Sequence, residues 1–459
     1  MRRKSVNMLS GPIVSGLLTI AIPVMIMNVV SSLYNIVDMS ILKGYDQTGY
    51  AVGAVGVCGV LITAISGLMT GSASGCNVVI AKFIGARDDD GVSRAVHTSV
   101  ALSLIAGLLL VVVGAGGAGL FLRWINCPDE LFSEATLYFR MYFAGTPLLM
   151  FYNFGAATLR SFGDSRRPML FLMISGAVKV ALNYLFVAHL QMGVTGVALA
   201  TILSWAVLTI FMMVALLRNE GLGKVVISKI RLHKEELLQI LRIGIPAGLQ
   251  QVLYSIANVL ISATVNTFGP AATTGISIAN HFDGILYQVS TASALAVMPY
   301  VSQNIGAHNI KRATQSIWRG MMITICLGAS LGALSAIFSG PLSYLMTNDP
   351  AVVAYSRQKM VLVSSTYFIC GINEILGAAL RGMGKPSAAT VSTLVFMCLI
   401  RFVWVQWIYP FLPEPKLTFL YLIWPIGWIL SIATLLCVLI PTVKKLKQKH
   451  LPAEQLLES

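Results

Sequence analysis

The same short motifs occur twice in this sequence, about half its length apart. Ile22-Pro23 returns as Ile245-Pro246, and Ile84-Gly85-Ala86 returns as Ile305-Gly306-Ala307. A third pair returns with almost the same separation: Leu159-Arg160 with Gly163, and Leu380-Arg381 with Gly384. So constant a register indicates an internal duplication, and it predicts two homologous halves.

The composition places both halves in a membrane. Of the 459 residues, 56% are hydrophobic and 11% are charged, whereas about 25% are charged in a typical soluble domain. Long apolar runs recur, each able to cross about 30 Å of hydrocarbon. The first run is too long for a signal peptide and reads as a retained span. We predict twelve spans at about 13–42, 51–81, 95–120, 131–159, 168–190, 193–217, 237–265, 272–303, 314–340, 351–380, 387–411 and 417–441.

The predicted fold is an all-α integral membrane protein with twelve transmembrane helices. Residues 1–222 are expected to form an N-terminal six-helix lobe. Residues 223–459 are expected to form a C-terminal six-helix lobe with a basic cytoplasmic tail. Because each lobe has an even number of spans, the two are parallel repeats, an arrangement typical of transporters that bind cargo between their halves.

The net charge of +14 follows from the short segments between spans. With the N-terminus inside, 24 of the 32 Lys and Arg residues fall on the cytoplasmic side and 6 on the outer side. This bias satisfies the positive-inside rule and predicts a multi-pass protein of the cell membrane with both termini cytoplasmic. It also argues against nucleic acid as a partner. The seven cysteines form no CxxC pair, so neither a metal site nor a cofactor is expected.

Several motifs in this order and spacing resemble the multidrug and toxic compound extrusion (MATE) family, bacterial type. They include Val37-Asp38 after Ile22-Pro23, and segments 83–87, 159–164, 182–184, 192–201, 303–307 and 380–385. The resemblance implies a V-shaped exporter of two six-helix lobes around a central cavity. Organic cations or drugs would leave by antiport with protons or sodium ions, as the lobes alternate in access. A monomer in the lipid bilayer is expected.

The chain departs from the family at two places. Some branches carry a carboxylate pair on the seventh and tenth spans, but residues 249–254 hold no acid. Other relatives have an Asp one turn after the Asn of the fifth span, where this chain has Val187. The coupling chemistry is therefore left open between protons and sodium ions.

The coupling site is expected around Asp38, near the outer end of the first span. Tyr34 and Asn35 lie one helical turn inward and could hydrogen-bond to it. Asn183 of the fifth span could face the same pocket. The resemblance places the family's helix-one carboxylate at Asp38. A carboxylate at this depth can exchange a proton near neutral pH, and the alternative is an interfacial Asp that reaches water.

Two further acids lie inside apolar runs, where a charge is costly and usually faces a cavity or a partner. Asp283 follows His281 in the eighth span, and Glu374 follows Asn373 in the tenth. We predict that these four residues contact cargo. The alternative for Asp283 is a structural ion pair, and for Glu374 an ion pair with Arg401 or Arg381.

Lys179 and Arg401 lie within spans at nearly equivalent positions of the repeat. We expect them to balance charge, with Asp283 or Glu374 as the acid. Pro23 and Pro246 interrupt the hydrogen bonding of the first and seventh spans. Their repeated position predicts hinges, and static kinks are the alternative.

Other functions fit the sequence less well. A lipid-linked oligosaccharide flippase shares the superfamily's duplicated fold, but it would need more cavity arginines than Lys179 and Arg401 provide. The loop motif of major-facilitator transporters is absent from residues 81–88. A membrane-embedded enzyme is disfavoured because no HExxH, GxSxG, Rossmann or Walker motif occurs.

Overall fold

The computed structural model describes residues 6–45, 50–219, 221–412 and 416–449, and these ranges contain helices and short connections but no strand. In the first repeat the α-helices are α1 (Ile13–Tyr45), α2 (Tyr50–Ala86), α3 (Asp89–Trp124), α4 (Asp129–Ala144), α5 (Thr146–Ser161), α6 (Arg166–Asn183) and α7 (Gly193–Leu217). In the second repeat they are α8 (Lys234–Asn266), α9 (Pro270–Gly306), α10 (Ile310–Ile337), α11 (Ser339–Tyr344), α12 (Pro350–Val363), α13 (Tyr367–Gly382), α14 (Pro386–Thr393), α15 (Ile400–Val403) and α16 (Lys416–Lys449).

In the described chain, eleven helical segments are long and apolar enough to cross a membrane. The predicted fourth span, 131–159, is not one helix. It is divided between α4 and α5, which end and begin around Gly145. A Cβ at Gly145 would lie 2.9 Å from the Trp205 ring, and Pro147 follows in the first turn of α5. Close packing and a missing backbone donor thus explain the break. With α4 and α5 as one crossing, the all-α arrangement of twelve crossings holds.

The second repeat has a break at the equivalent place. Its predicted tenth span, 351–380, consists of α12 and α13 joined by a 3₁₀ turn at Ser364–Thr366. The fifth and eleventh spans also share an irregularity. A π-helix at Tyr184–His189 extends α6, and one at Trp404–Ile408 follows α15. π-Helical turns often occur at functional sites because they change the direction of the side chains that follow.

By contacts, the chain divides into two compact units whose bounds fall near the two predicted hinges. One unit contains Ile26–Gly244, and the other contains Asn7–Met25 together with the chain from Ile245 onward. The predicted lobe boundary at residue 222 divides the sequence repeats rather than these contact units, and it stays a prediction.

The segment before α8 is anchored to α3 within the first unit. Arg94 forms an ion pair with the buried Glu236 at 2.6 Å. His97 Nε2 accepts a hydrogen bond from the backbone N–H of Val226 at 3.0 Å. Thr98 Oγ1 accepts one from the backbone N–H of His233 at 3.1 Å. These bonds hold residues 226–236 against α3.

The segment before α1 is anchored in a similar way within the second unit. Arg312 of α10 donates hydrogen bonds to the carbonyl groups of Met8, Ser10 and Gly11 at 2.8–2.9 Å. Asn304 of α9 donates a further one to the Met8 carbonyl at 3.1 Å. The residues that precede α1 are therefore fixed by side chains of the second repeat.

Candidate functional site

In the first unit, Asp38 lies in contact with two polar residues of α6. The carboxylate is 6% exposed. It forms an ion pair with Lys179 and accepts a hydrogen bond from the side-chain amide of Asn183. Lys179 and Asn183 are four residues apart, so they lie on the same face of α6. The structure thus brings together Asp38 and Asn183, as the sequence suggested, and adds Lys179 as the cation.

Asn183 is the last residue of α6 and directly precedes the π-helix Tyr184–His189. Its side chain is fully buried. The amide nitrogen is used by Asp38, but the amide oxygen has no hydrogen-bond partner within the described ranges. A buried acceptor without a donor is unusual, and a protonated carboxyl group next to it could serve as that donor.

The sequence predicted a hydrogen bond between Tyr34 and Asp38, but the Tyr34 hydroxyl has another partner. It donates a hydrogen bond to the backbone carbonyl of Met173 in α6 at 2.9 Å. The Tyr34 ring packs against Gly176, where a Cβ would come within 1.8 Å of a ring carbon. The residue therefore helps to pack α1 on α6, because only glycine admits the ring there. The side chain of Asn35 lies outside the described part of the structure.

In the second unit, Asp283 is buried and is paired with a cation other than the two that the sequence predicts. Lys359 Nζ of α12 lies 3.0 Å from an Asp283 carboxylate oxygen. Ser364, in the break after α12, donates a hydrogen bond to the other oxygen at 2.7 Å. The predicted pairing of Asp283 with Lys179 or Arg401 is therefore wrong. His281 is exposed on the same helix while Asp283 is buried, so the two are not brought together.

From its place in the sequence, Lys359 is one of the six Lys and Arg residues expected on the outer side, but its side chain is only 2% exposed. It also donates to the side-chain oxygen of Asn280 and lies 5.4 Å from the centre of the Trp424 ring. A signal was available, because position 359 falls well inside the predicted tenth span. A lysine at that depth requires a partner.

Glu374 lines a small cavity of about 10 Å³, enough for roughly one water molecule. Other residues of its wall include Gln250, Gln251, Tyr254 and Asn373. Within the described ranges Glu374 forms no ion pair. The alternative of a pair with Arg381 or Arg401 is thus not realised here. Arg381 donates instead to the Gln250 side-chain oxygen at 3.0 Å.

Asn373, next to Glu374, accepts a hydrogen bond from the Ser431 hydroxyl at 2.6 Å. Ser431 in turn is 2.7 Å from the Ser392 hydroxyl. The amide oxygen of Asn373 is therefore used to join α13 to α16. Its cargo contact stays a prediction, as does that of Glu374.

Arg401 is fully buried in α15. Its Nη1 donates a hydrogen bond to the side-chain oxygen of Asn258 at 2.8 Å. The guanidinium carbon lies 5.3 Å from the ring centres of both Tyr254 and Trp424. In the described chain no carboxylate pairs with Arg401. Lys179 and Arg401 therefore have different partners in spite of their equivalent positions.

The two prolines predicted as hinges lie inside α1 and α8. Pro23 is buried, and the first contact boundary falls after Met25. The second boundary falls after Gly244, just before Pro246. Each proline thus lies close to a change of unit, although their role as hinges stays a prediction. The described residues contain no group of three or more His, Cys, Asp or Glu side chains suited to a metal ion.

The sequence is similar to proteins of known families. The MatE family model matches residues 23–185 and 246–406, one match in each repeat. The probable multidrug resistance protein YpnP of Bacillus subtilis is 26% identical over 405 residues, covering 87% of this chain and 89% of the relative. The probable multidrug resistance protein NorM of Thermotoga maritima is 23% identical, with 84% and 83% covered.

The fold is also similar to solved structures. One is described as the outward-facing conformation of a multidrug resistance MATE family transporter of the MOP superfamily. It superimposes with a TM-score of 0.89 at 23% identity and covers 98% of this chain and 100% of its own. The helical arrangement described above is thus that of a solved membrane transporter.

Proposed function

Because this chain belongs to the MatE family of membrane transporters, we propose that it exports organic compounds, many of them cationic, by antiport with protons. Its relatives named above are called multidrug resistance proteins, which supports a drug-like small molecule as cargo. We place the protein in the plasma membrane with both termini cytoplasmic, on the strength of the bias of Lys and Arg toward one side.

The contact between Asp38 and Lys179 carries the proposal. An ion pair buried in a membrane protein costs desolvation that a pair of apolar side chains would not. Its presence is explained if the carboxylate has to change its charge during transport. A proton that binds Asp38 releases Lys179 from the ion pair, and the free amide oxygen of Asn183 can accept a hydrogen bond from the new carboxyl group.

The contact between Asp38 and Lys179 also favours a proton over a sodium ion as the coupling ion. Sodium binding requires several oxygen ligands around the ion. Here the ammonium group of Lys179 and the amide N–H of Asn183 occupy the carboxylate of Asp38. Both are donors, so a metal cation would have to displace them. A proton needs only one lone pair of the carboxylate.

Binding of a proton on one side and of cargo on the other is coupled through alternating access of the two repeats. The prolines inside α1 and α8 are suited to such a motion. Pro23 and Pro246 lack the backbone N–H that would stabilise a straight helix. Each lies beside a boundary between the contact units.

A transport assay tests the coupling ion. The purified protein is reconstituted into liposomes, and uptake of ethidium into the lumen is followed by fluorescence. A proton gradient with the acidic side inside is imposed first, and a sodium gradient at equal pH second. We expect uptake with the proton gradient alone, and proton release from the lumen in step with ethidium uptake.

Liposomes that contain an Asp38→Asn protein serve as the matched control. The amide keeps the shape of the side chain but cannot exchange a proton at the pH of the assay. Uptake driven equally well by the sodium gradient would contradict proton coupling. If neither gradient drives ethidium uptake, antiport itself is contradicted.

A further inference from the structure

The Arg401 side chain is buried but does not have the acceptors that its charge requires. Arginine keeps its positive charge in proteins and carries five N–H donors. Of the hydrogen-bonding atoms, Nη1 donates to Asn258 at 2.8 Å. Nε and Nη2 are buried and have no hydrogen-bond partner within the described ranges. Buried polar groups are nearly always satisfied, and more strictly so when they are charged.

Among the residues that the structure describes, no carboxylate pairs with Arg401 to neutralise its charge. The faces of Tyr254 and Trp424 lie on the guanidinium group at 5.3 Å, and aromatic faces attract a cation without accepting its hydrogen bonds in the guanidinium plane. Lys359 lies 5.4 Å from the same Trp424 ring, but its charge is balanced by Asp283. The described residues around Trp424 therefore hold one cation in excess.

The first repeat shows which kind of partner Arg401 lacks. Lys179 is equivalent to Arg401, and it pairs with Asp38. When the two repeats are aligned on Pro23 and Pro246, the position of Asp38 corresponds to Ile261. Ile261 is buried in the apolar core of the second unit. The second repeat thus has a cation at this position, but an apolar residue stands where the first repeat has the carboxylate.

We propose that Arg401 is a binding site for a small anionic group that takes the place of this carboxylate. Nε and Nη2 lie on one edge of the guanidinium plane, the edge that binds a carboxylate with two parallel hydrogen bonds. A halide ion can accept the same two N–H groups. The group is either a free anion such as chloride or the carboxylate of a cargo molecule, and these two sources share the chemistry of one small negative charge.

The first experiment measures a free anion. The melting temperature of the purified protein in detergent is recorded as chloride or bromide replaces gluconate at constant ionic strength. A site that binds only the folded state raises the melting temperature in a saturable way. We expect a rise of about 2 °C or more in the wild type.

Two variants and one control locate the effect. Arg401→Gln removes the donors and should abolish the halide response. Asn258→Asp places a carboxylate where Nη1 now meets an amide oxygen, so it should raise the melting temperature without halide and remove the response. Arg312→Gln is the control, because Arg312 is satisfied by backbone carbonyl groups and its loss should leave the halide response intact. The Asn258→Asp variant keeps the test decisive if Arg401→Gln does not fold.

The second experiment measures a carboxylate carried by cargo, and this arm rests on the proposed function. Rhodamine 110 has a free carboxylate, and rhodamine 123 is its methyl ester. Binding of both dyes to the purified protein is followed by fluorescence polarisation without any gradient, so a failure of antiport does not affect the result. If cargo supplies the anion, Arg401→Gln should weaken binding of rhodamine 110 by about tenfold, and that of rhodamine 123 much less.

The outcomes separate the sources. A halide response that depends on Arg401, with equal effects on both dyes, supports a free anion. A selective loss of rhodamine 110 supports the carboxylate of the cargo. A folded wild type that shows neither response, or a halide response that persists in both Arg401→Gln and Asn258→Asp, overturns the proposal.

Discussion

Lys179 and Arg401 occupy equivalent positions in the two repeats, but only Lys179 forms an ion pair with a carboxylate within the described ranges. Each repeat thus has a cation within a predicted span, and the two cations have different environments: Arg401 is fully buried, whereas the Lys179 side chain is 15% exposed. In the first repeat the partner is Asp38, a group that can bind a proton. In the second, the partner is the neutral amide of Asn258. We infer that the repeats have separate tasks, with proton exchange assigned to the first.

Replacement of Asp38 tests the proposed task of the first repeat. In Asp38→Asn we expect proton-driven export to fall to the background level, because the amide cannot exchange the proton. The protein should remain folded and inserted in the membrane, with some loss of thermal stability because Lys179 loses its carboxylate partner. Asp129→Asn is the matched control, since Asp129 is an exposed acid in the first turn of α4. Full transport by a well-expressed Asp38→Asn protein would contradict the coupling role.

Glu374→Gln tests the cavity of the second repeat. Glu374 has no ion-pair partner within the described ranges, so no bound cation competes with the predicted contact to a cationic cargo. We expect export of cationic dyes to fall several-fold while that of neutral dyes changes little. An equal loss for both kinds of dye would instead indicate a role in coupling or folding. No loss for either would rule out a contact with cargo.

Lys359→Met should destabilise the second unit. The change leaves Asp283 buried and without its cation, which costs about 3–5 kcal/mol in comparable buried pairs. The double variant Asp283→Asn with Lys359→Met should recover most of this loss, because no buried charge then remains. Melting temperatures of the single and double variants provide the measurement. A double variant no more stable than Lys359→Met would show that the ion pair is not the source of the effect.

The prolines of α1 and α8 are predicted to affect turnover more than cargo binding. Pro23→Ala and Pro246→Ala restore a backbone N–H and so favour a straighter helix. We expect a lower maximal rate of export with an almost unchanged affinity for ethidium. Pro441→Ala is the control, because Pro441 is an exposed proline inside α16. If all three variants behave alike, the repeated position of the prolines has no special role in the motion.

In acid, the backbone amides of the anchored segment before α8 should become less protected from hydrogen exchange. Burial and the neighbouring Arg231 guanidinium lower the pKa of His233 below its ordinary value of 6.5. The released segment therefore binds the proton more tightly than the anchored one. The contribution of His233 to the stability of the anchored segment is complete above about pH 6.5 and is lost as the pH falls below that value.

Hydrogen exchange of residues 226–233, corrected for the intrinsic rate, measures this loss between pH 7.5 and pH 5.5. In the wild type the Arg231 Nε–H donates to His233 Nε2 at 3.0 Å, a contact that a protonated ring cannot make. His233→Gln carries no titratable group and should show a smaller change with pH. An identical change in both proteins would assign the effect to another residue.

The sequence by itself determined the class of fold and its duplication. Hydropathy and the repeated motifs depend only on the order of residues, and they located the apolar crossings and the equivalence of Lys179 with Arg401. The break in the predicted fourth span was missed because it depends on packing. Gly145 faces the Trp205 ring, a contact between residues far apart in the chain that no local pattern records.

Only the tertiary structure decided which charges meet. Each residue of an α-helix turns its side chain by about 100° relative to the one before, so the partner of a buried ion depends on the rotation of two helices at once. The sequence placed Lys359 near the surface and gave Asp283 the wrong cation, whereas the packed helices join these two residues. It placed Tyr34 beside Asp38, but the hydroxyl reaches the Met173 carbonyl instead. A buried charge is paired by whatever side chain the neighbouring helix brings within about 3 Å, and sequence order does not specify that distance.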